Sequence, residues 1–487
     1  MMRLAAGVAA AKAVGTLART AGRGGGTSLP GKVLTRVEPH AIGQLARRLE
    51  RGSVVISATN GKTTTAAMVA SILERGGARL VHNRAGANMA GGIASALAAA
   101  SRRGGRALTG DFGLFEVDEF WLGALVEELE PRAMLLGNLF RDQLDRYGEL
   151  ETIADRWAAV VAASSAALVL NADDPLIADL GRASSPAGTA SHRPGPPSPA
   201  HGGPQSIRAG ECVYFGVDDD SLALPELQHA SDSKHCRRCG HAYVYTAVYL
   251  AHLGHYRCPN CGQERPEPAV VATGVELRGI RSAAFTLRGR RVELPLPGLY
   301  NVYNALGAAA LTLSLGVSLD DVVAGLEGVA PAFGRAETLD LGRPTSLLLV
   351  KNPAGANEVL RTLALEAGQL DILGVLNDRT ADGRDVSWVW DADWELLVPH
   401  VRRMTCAGTR AAELALRMKY AGLPAERIRV VEALEPALDA ALADGERSGD
   451  ERAARGSDPL YVVPTYTALL ELRELLTRRG QAEAYWR

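Results

Sequence analysis

The chain has 487 residues, 47% hydrophobic and 22% charged, which is too long for one ordinary core and too evenly mixed for a fibrous or disordered protein. Its 53 basic and 55 acidic side chains leave a net charge of −2, so no global field would draw it onto nucleic acid or an anionic membrane. Four of the 6 cysteines sit in two C-x-x-C pairs and the other two lie far apart, which argues against a disulfide framework and for a reducing compartment.

Residues 1–21 are apolar, but Lys12 and Arg19 interrupt them and the run is rich in Ala and Gly. A helix packed on the body is expected there, within an N-terminal helical or extended segment over residues 1–50. No later window reaches about 18 uninterrupted apolar residues, so no transmembrane segment is expected. From 53 to 171, the β-rich runs VVISA (54–58), RLVHN (79–83), FGLFEV (112–117), RAMLLGN (132–138) and AALVLN (166–171) alternate with Ala-rich stretches of helix length. That alternation argues a parallel sheet with crossover helices. The Pro, Gly and Ser-rich stretch 184–205 reads as a mobile loop. Strand-like runs resume at CVYFG (212–216) and across 275–298, where the alternation suggests antiparallel pairing. The pattern is helical from 300 to 329, and after Gly334 a second series begins: SLLLV (346–350), DILGVLN (371–377), RMTCAG (403–408), RIRVV (427–431) and LYVVP (460–464). A second α/β unit over 334–487 is expected, with the charged stretch 443–458 an exposed loop in it.

The strand VVISA runs into Thr59, Asn60, Gly61, Lys62, Thr63 and Thr64 and then an Ala-rich helix. A tight turn of this kind aims backbone N–H groups and a helix N-terminus at an anion, the Lys reaches terminal phosphates, and a Thr hydroxyl can bind Mg²⁺. Ile56 stands where the first Gly of a full Walker pattern would be, yet Lys is scarce in this chain, which favours a purpose for Lys62. Glu116 ends a predicted strand at the ligand-binding edge of such a sheet, where a carboxylate suits Mg²⁺. Asp118 and Glu119 are explained equally well as acids at a helix start. Cys236-x-x-Cys239 and Cys258-x-x-Cys261, eighteen residues apart, have the spacing of two zinc-ribbon knuckles, and four thiolates leave no open position, so the Zn²⁺ is expected to be structural.

Other stretches follow in order: Asn138 to Gly148 (NLFRDQLDRYG), Asn171 to Pro175 (NADDP), Gly298 to Ala305 (GLYNVYNA), and Gly334 to Glu337 (GRAE). In that order they resemble the Mur ligase family, whose phosphate loop reads G-T-x-G-K-T and is followed by a Glu, D-H-L-D, N-x-D-D-P, H-N-x-x-N and G-R-x-E. Ala58, Gln143 and Tyr300 depart from that series. The four-Cys ribbon, Lys351 to Asn357 (KNPAGAN), Asp378 and Ala381 to Asp391 (ADGRDVSWVWD) make the chain similar to the MurT family of lipid II isoglutaminyl synthase subunits.

The resemblance implies an α/β protein: a Mur-ligase central P-loop ATPase domain over 51–333, with the zinc ribbon inserted at about 232–268, and a C-terminal Rossmann-like domain over 334–487. It also implies a carbon–nitrogen ligase that amidates the α-carboxyl of D-isoglutamate in lipid II through an acyl phosphate. ATP and Mg²⁺ would be held by the phosphate loop with Glu116, Asn304 would contact adenine and Arg335 the nucleotide. Lys351 would reach into the cleft, and Asp382, with Asp385 as its rival, would be the catalytic acid. Ammonia would come from a GatD-type glutaminase in a heterodimer, since Cys406 lacks the turn and the partner His of a glutaminase nucleophile. The enzyme would be cytoplasmic and meet its substrate at the inner membrane face, with possible peripheral contact. A stand-alone Mur or folylpolyglutamate-type amino-acid ligase is the alternative, with a zinc-ribbon nucleic-acid NTPase further off.

Overall fold

The computed structural model describes residues 2–20, 28–83, 87–142, 150–183, 208, 210–229, 231–330, 335–446 and 458–482. The expected loop at 184–205 lies outside them.

Three helices open the chain: α1 (Met2–Thr20), α2 (Leu29–Val37) and α3 (Ala41–Ala46). Leu4, Val8 and Ala11 lie on one face of α1 at helical spacing and are buried, so α1 packs on the body as the sequence suggests. Next come β1 (Ser53–Ser57), α4 (Lys62–Arg75), β2 (Leu80–His82), α5 (Ala90–Ala100), a short hairpin β3 (Ser101–Arg102) and β4 (Ala107–Leu108), β5 (Phe112–Glu116), α6 (Leu122–Leu129), β6 (Ala133–Leu136), β7 (Ala167–Asn171) and β8 (Cys212–Val217). A second hairpin, β9 (Val244–Leu250) with β10 (Leu253–Arg257), precedes β11 (Val270–Arg278), β12 (Ser282–Leu287) and β13 (Arg290–Leu294).

The large sheet has the order β13-β12-β11-β8-β7-β6-β1-β5-β2. Its strands from β2 to β8 pair in parallel, β11 is parallel to β8, and β12 and β13 close the far edge antiparallel. The central strands are apolar on both faces because helices cover both. Val54, Ile56 and Leu114 face one core with the nearly buried helix Leu299–Ser314, while Val55, Phe115 and Met134 face another with α1 to α3.

The smaller sheet has the order β14-β15-β19-β16-β17-β18, from β14 (Arg335–Asp340), β15 (Pro344–Leu348), β16 (Leu370–Val375), β17 (Val401–Ala407), β18 (Ile428–Val430) and β19 (Leu460–Pro464). All its pairings are parallel except β14 with β15. At the charged stretch 443–458 the expected exposed loop does not hold for its first residues, which belong to the helix Leu434–Glu446, with Asp444 buried between Arg403 and Arg429; residues 447–457 lie outside the described residues. Two arginines from the sheet compensate the carboxylate, which allows it to be helical and inside.

Candidate nucleotide site and metal centre

At the C-terminal end of β1 the backbone turns through Thr59, Asn60 and Gly61 into α4. Gly61 has φ +86°, and a Cβ there would fall 2.0 Å from Asn304 Oδ1. The turn is pinned from the neighbouring strand: Asn138 accepts from Asn60 N at 2.9 Å through Oδ1 and donates to Asn60 O at 3.0 Å through Nδ2. Phe140 N donates to Thr59 Oγ1 at 3.1 Å. The result is a rigid turn opening onto the N-terminus of α4, the arrangement that favours phosphate oxygens.

Lys62 Nζ donates to Ala58 O and, at 2.9 Å, to Glu119 Oε2. Glu119 therefore lies ahead of α6 as the partner of Lys62, not as an acid of a helix first turn. Burial pushes its carboxyl pKa up, but the charges of Lys62 and Lys351 outweigh that and hold it below the usual range. Thr63 Oγ1 donates to Glu116 Oε2 at 2.9 Å. A hydroxyl and a buried carboxylate side by side are oxygen donors of the kind Mg²⁺ takes, and Glu116 Oε1 has no hydrogen-bond partner among the described residues. Thr64 is buried within the first turn of α4.

Behind the turn lies a narrow cleft lined by Ile56, Leu135 and Phe215 and by Asn60, Asn138 and Asn304. Its walls combine apolar side chains with a few amide groups. Asn304 is held by Thr65 Oγ1 at 3.2 Å and by Asn301 at 3.1 Å. Gln143 and Gly334 lie outside the described residues, as does the side chain of Arg335.

The smaller sheet reaches the same turn. Lys351 Nζ donates to Thr59 O at 3.1 Å and to Asp142 Oδ2 at 2.5 Å. Asn352 caps the helix Pro353–Ala364 by accepting from Gly355 N, and its amide exchanges two hydrogen bonds with that of Asn60, at 3.0 and 3.2 Å. Among the described residues, Asp382 and Asp385 are not hydrogen-bonded to this cluster. Asp382 is buried and accepts from Thr467 N and Thr467 Oγ1, and Asp385 is exposed and accepts from Ser387 N. The side-chain and backbone donors of Ser387 hold the Asp385 pKa low.

Thr59, Asn60, Gly61, Lys62, Thr63, Glu116, Asn304 and Lys351 thus come together, whereas Asp382 and Asp385 bond to Thr467 and Ser387. Sequence reasoning did not single out Asn138, Asp142, Asn352 or His82 for a part in the cluster. The first three lie inside quoted motifs and could have been found there, whereas His82 carries no local signal.

Cys236, Cys239, Cys258 and Cys261 place their sulfurs within 4.8 Å of one another. The two knuckles repeat one geometry: Cys236 N donates to His241 O and Cys258 N to Gln263 O, both at 2.7 Å, and Gly240 N and Gly262 N close the turns onto Cys236 O and Cys258 O. The tetrahedral zinc geometry, with Zn–S near 2.3 Å, implies sulfurs about 3.8 Å apart. The Cys236–Cys261 and Cys239–Cys258 separations of 3.5 and 3.4 Å fit that cage after small rotamer changes.

The profile of the Mur ligase middle domain matches residues 56–200, and that of the MurT ligase C-terminal domain matches residues 349–469. Subunit MurT of lipid II isoglutaminyl synthase (glutamine-hydrolyzing) from Streptococcus pneumoniae is 32% identical over 461 residues, covering 94% of this chain and 93% of that protein. The chain belongs to the MurT family. A MurT from Staphylococcus aureus is 30% identical over 398 residues, 81% of this chain and 83% of its own. Among solved structures, a pseudomurein peptide ligase type C from Methanothermus fervidus superposes with TM-score 0.64 at 20% identity, covering 89% of this chain and 80% of its own. MurF from Acinetobacter baumannii gives 0.61 at 18%, covering 92% and 81%. These two establish a Mur-ligase fold, and MurT membership makes this chain a Mur-type ligase.

Proposed function

We propose that this chain is the ATP-using synthetase subunit of an enzyme that amidates the D-isoglutamyl α-carboxyl of lipid II. It divides into an N-terminal segment (1–50), a nucleotide-binding domain (51–333) carrying the ribbon, and a C-terminal domain (334–487). The carrying observation is Lys351, which reaches from the smaller sheet to Thr59 O and Asp142 at the phosphate turn.

In the proposed reaction a carboxylate oxygen attacks the γ-phosphorus, ADP leaves, ammonia attacks the acyl-phosphate carbon, and inorganic phosphate departs as the nitrogen loses a proton. The turn and the α4 N-terminus hold the phosphates, Lys62 offsets the charge of the transferred group, and Asn304 faces the base. Thr63 and Glu116 would hold Mg²⁺, which supplies further charge neutralisation when bound. Lys351 would orient the substrate carboxylate. Asp382, fixed by two donors from Thr467, is the proposed acceptor of the ammonia proton, with exposed Asp385 the less constrained rival. Asp382→Asn should then lower kcat with ammonium by about 100-fold while Asp385→Asn stays within about 3-fold. The reverse order would exchange their roles.

Ammonia would come from a GatD-type glutaminase partner. Cys406 is buried in β17 and burial pushes its thiol pKa up to about 12, so it makes a poor nucleophile. Glutamine hydrolysis by the purified chain alone would overturn this. The four-Cys ribbon would hold a structural Zn²⁺. No described helix is long and apolar enough to cross a membrane, and the lipid-linked substrate would be met at the inner membrane face. The deciding measurement is ADP release with lipid II and ammonium chloride, the product being weighed. A mass lower by about one unit, hydroxyl exchanged for amino, supports amidation. ADP release with an added amino acid would favour the stand-alone ligase.

A further inference from the structure

His82 ends β2, the strand beside β5, and stands opposite Leu114 in that parallel pair. Its side chain is 6% exposed, and neither ring nitrogen has a hydrogen-bond partner among the described residues. A buried imidazole with both nitrogens unmatched is costly, because each has left water without replacement. The nearest carboxylate is that of Glu116, 1% exposed, whose Oε1 is equally unmatched and lies 3.6 Å from His82 Nε2. The gap exceeds a hydrogen bond by a few tenths of an ångström, which a small rotation of either side chain closes.

The surroundings restrict where Glu116 can turn. Its backbone is clasped by Asn83, the residue after His82: Glu116 N donates to Asn83 Oδ1 at 2.9 Å, and Asn83 Nδ2 donates to Glu116 O at 2.8 Å. Its other oxygen, Oε2, accepts from Thr63 Oγ1. Backbone and Oε2 are therefore fixed, and Oε1 is left without a partner among the described residues.

We propose that His82 is a positioning residue for Glu116. Its Nε2–H donates to Glu116 Oε1 and fixes the carboxylate so that Oε2 is presented beside the Thr63 hydroxyl as a preformed pair of oxygen donors for a divalent cation. Outer partners of this kind hold a ligand in its binding rotamer and change metal affinity by about 10- to 100-fold when removed. The inference rests on the proposed magnesium role of Thr63 and Glu116.

The test uses the full chain and a non-hydrolysable ATP analogue, titrated calorimetrically with and without Mg²⁺. His82→Leu keeps the volume roughly and removes the donor, whereas His82→Gln keeps an N–H within reach. The Mg²⁺ concentration giving half-maximal tight binding should rise about 10-fold or more in His82→Leu and stay within about 3-fold of the parent in His82→Gln. Metal-free affinity should be unchanged in both, which a loss of fold would not allow. Equal Mg²⁺ requirements in parent and His82→Leu would overturn the proposal. So would a loss of metal-free affinity that parallels the loss with metal. With Mn²⁺ in place of Mg²⁺, nitrogen coupling from an imidazole in the electron spin-echo spectrum would also overturn it, by making His82 a ligand. Mg²⁺-independent binding by the parent would instead overturn the magnesium reading itself.

Discussion

Gly61 is the residue on which the phosphate turn depends. A left-handed backbone costs a side chain about 1–2 kcal/mol, and the added Cβ would meet the Asn304 amide at 2.0 Å. Gly61→Ala should therefore weaken ADP binding by about 10-fold or more, read by calorimetry, with the six-stranded sheet untouched. Asn304→Ala in the same chain removes the steric conflict and leaves the backbone cost. Partial recovery in the double variant would assign the remainder to φ, and no recovery would mean that the Asn304 contact is itself needed for binding. The roles proposed for Lys62, Thr63 and Glu116 were legible because each is set by local sequence, a turn at one strand end and an acid at the next. Asp142 and Asn352 lie inside quoted motifs, but their meetings with Lys351 and Asn60 span 209 and 292 residues, and the motifs do not say which residue each one meets.

Among the elements, the smaller sheet is fastened at its β16 end by charge. Asp371 lies on β16 and binds Arg343 at 2.9 Å and Arg402 from β17, and Arg343 also donates to the carbonyls of Ala441, Asp458 and Pro459. Burial raises the Asp371 pKa, but hydrogen bonds from Arg402 and Arg343 lower it further, so its folded value is depressed. A depressed carboxyl stabilises fully above its unfolded value, about 3.9, and the contribution disappears as pH falls through the lower folded value. Asp371→Asn should thus cost about 3 kcal/mol near neutral pH, since it leaves two arginines poorly matched. The gap in melting temperature between parent and variant should narrow below about pH 4. A gap independent of pH would assign the effect to shape and not to charge. The strands of this sheet were readable because β15 to β17 and β19 are short apolar runs bounded by turns. The polar edge strand β14 (RAETLD) gave no such contrast, whereas the hairpin β9–β10 carries the Val, Thr and Tyr that strands favour.

At the scale of the whole molecule, the two sheets are joined by polar contacts that converge near the ribbon. Arg141 N donates to Asp232 Oδ2 at 2.8 Å, its guanidinium pairs with the same carboxylate, and Nη1 lies 3.3 Å from Asp391 of the smaller sheet's region. Gln228 and His229, just before the ribbon, bind Asp393 at 3.2 and 2.9 Å, and Arg361 donates to Tyr249 O at 2.6 Å. The neighbour of Arg141 is Asp142, the partner of Lys351. Asp232 ahead of the ribbon, Arg141 and Asp142, and Lys351 at the head of the helix Pro353–Ala364 are thus joined in series by hydrogen bonds and the chain itself. Arg141→Met breaks that series at its centre without touching the turn, the cleft behind it or Glu116. Its ADP affinity should stay within about 2-fold of the parent. The rate of amide formation should fall about 10-fold, because displacements of an ångström at a reacting pair cost on that order or more. Hydrogen exchange across residues 351–365 should rise with it, since Lys351 and Asn352 would lose a fixed partner loop. Weakened ADP binding with an unchanged rate would place Arg141 in the nucleotide site instead and remove the ribbon from the catalytic path.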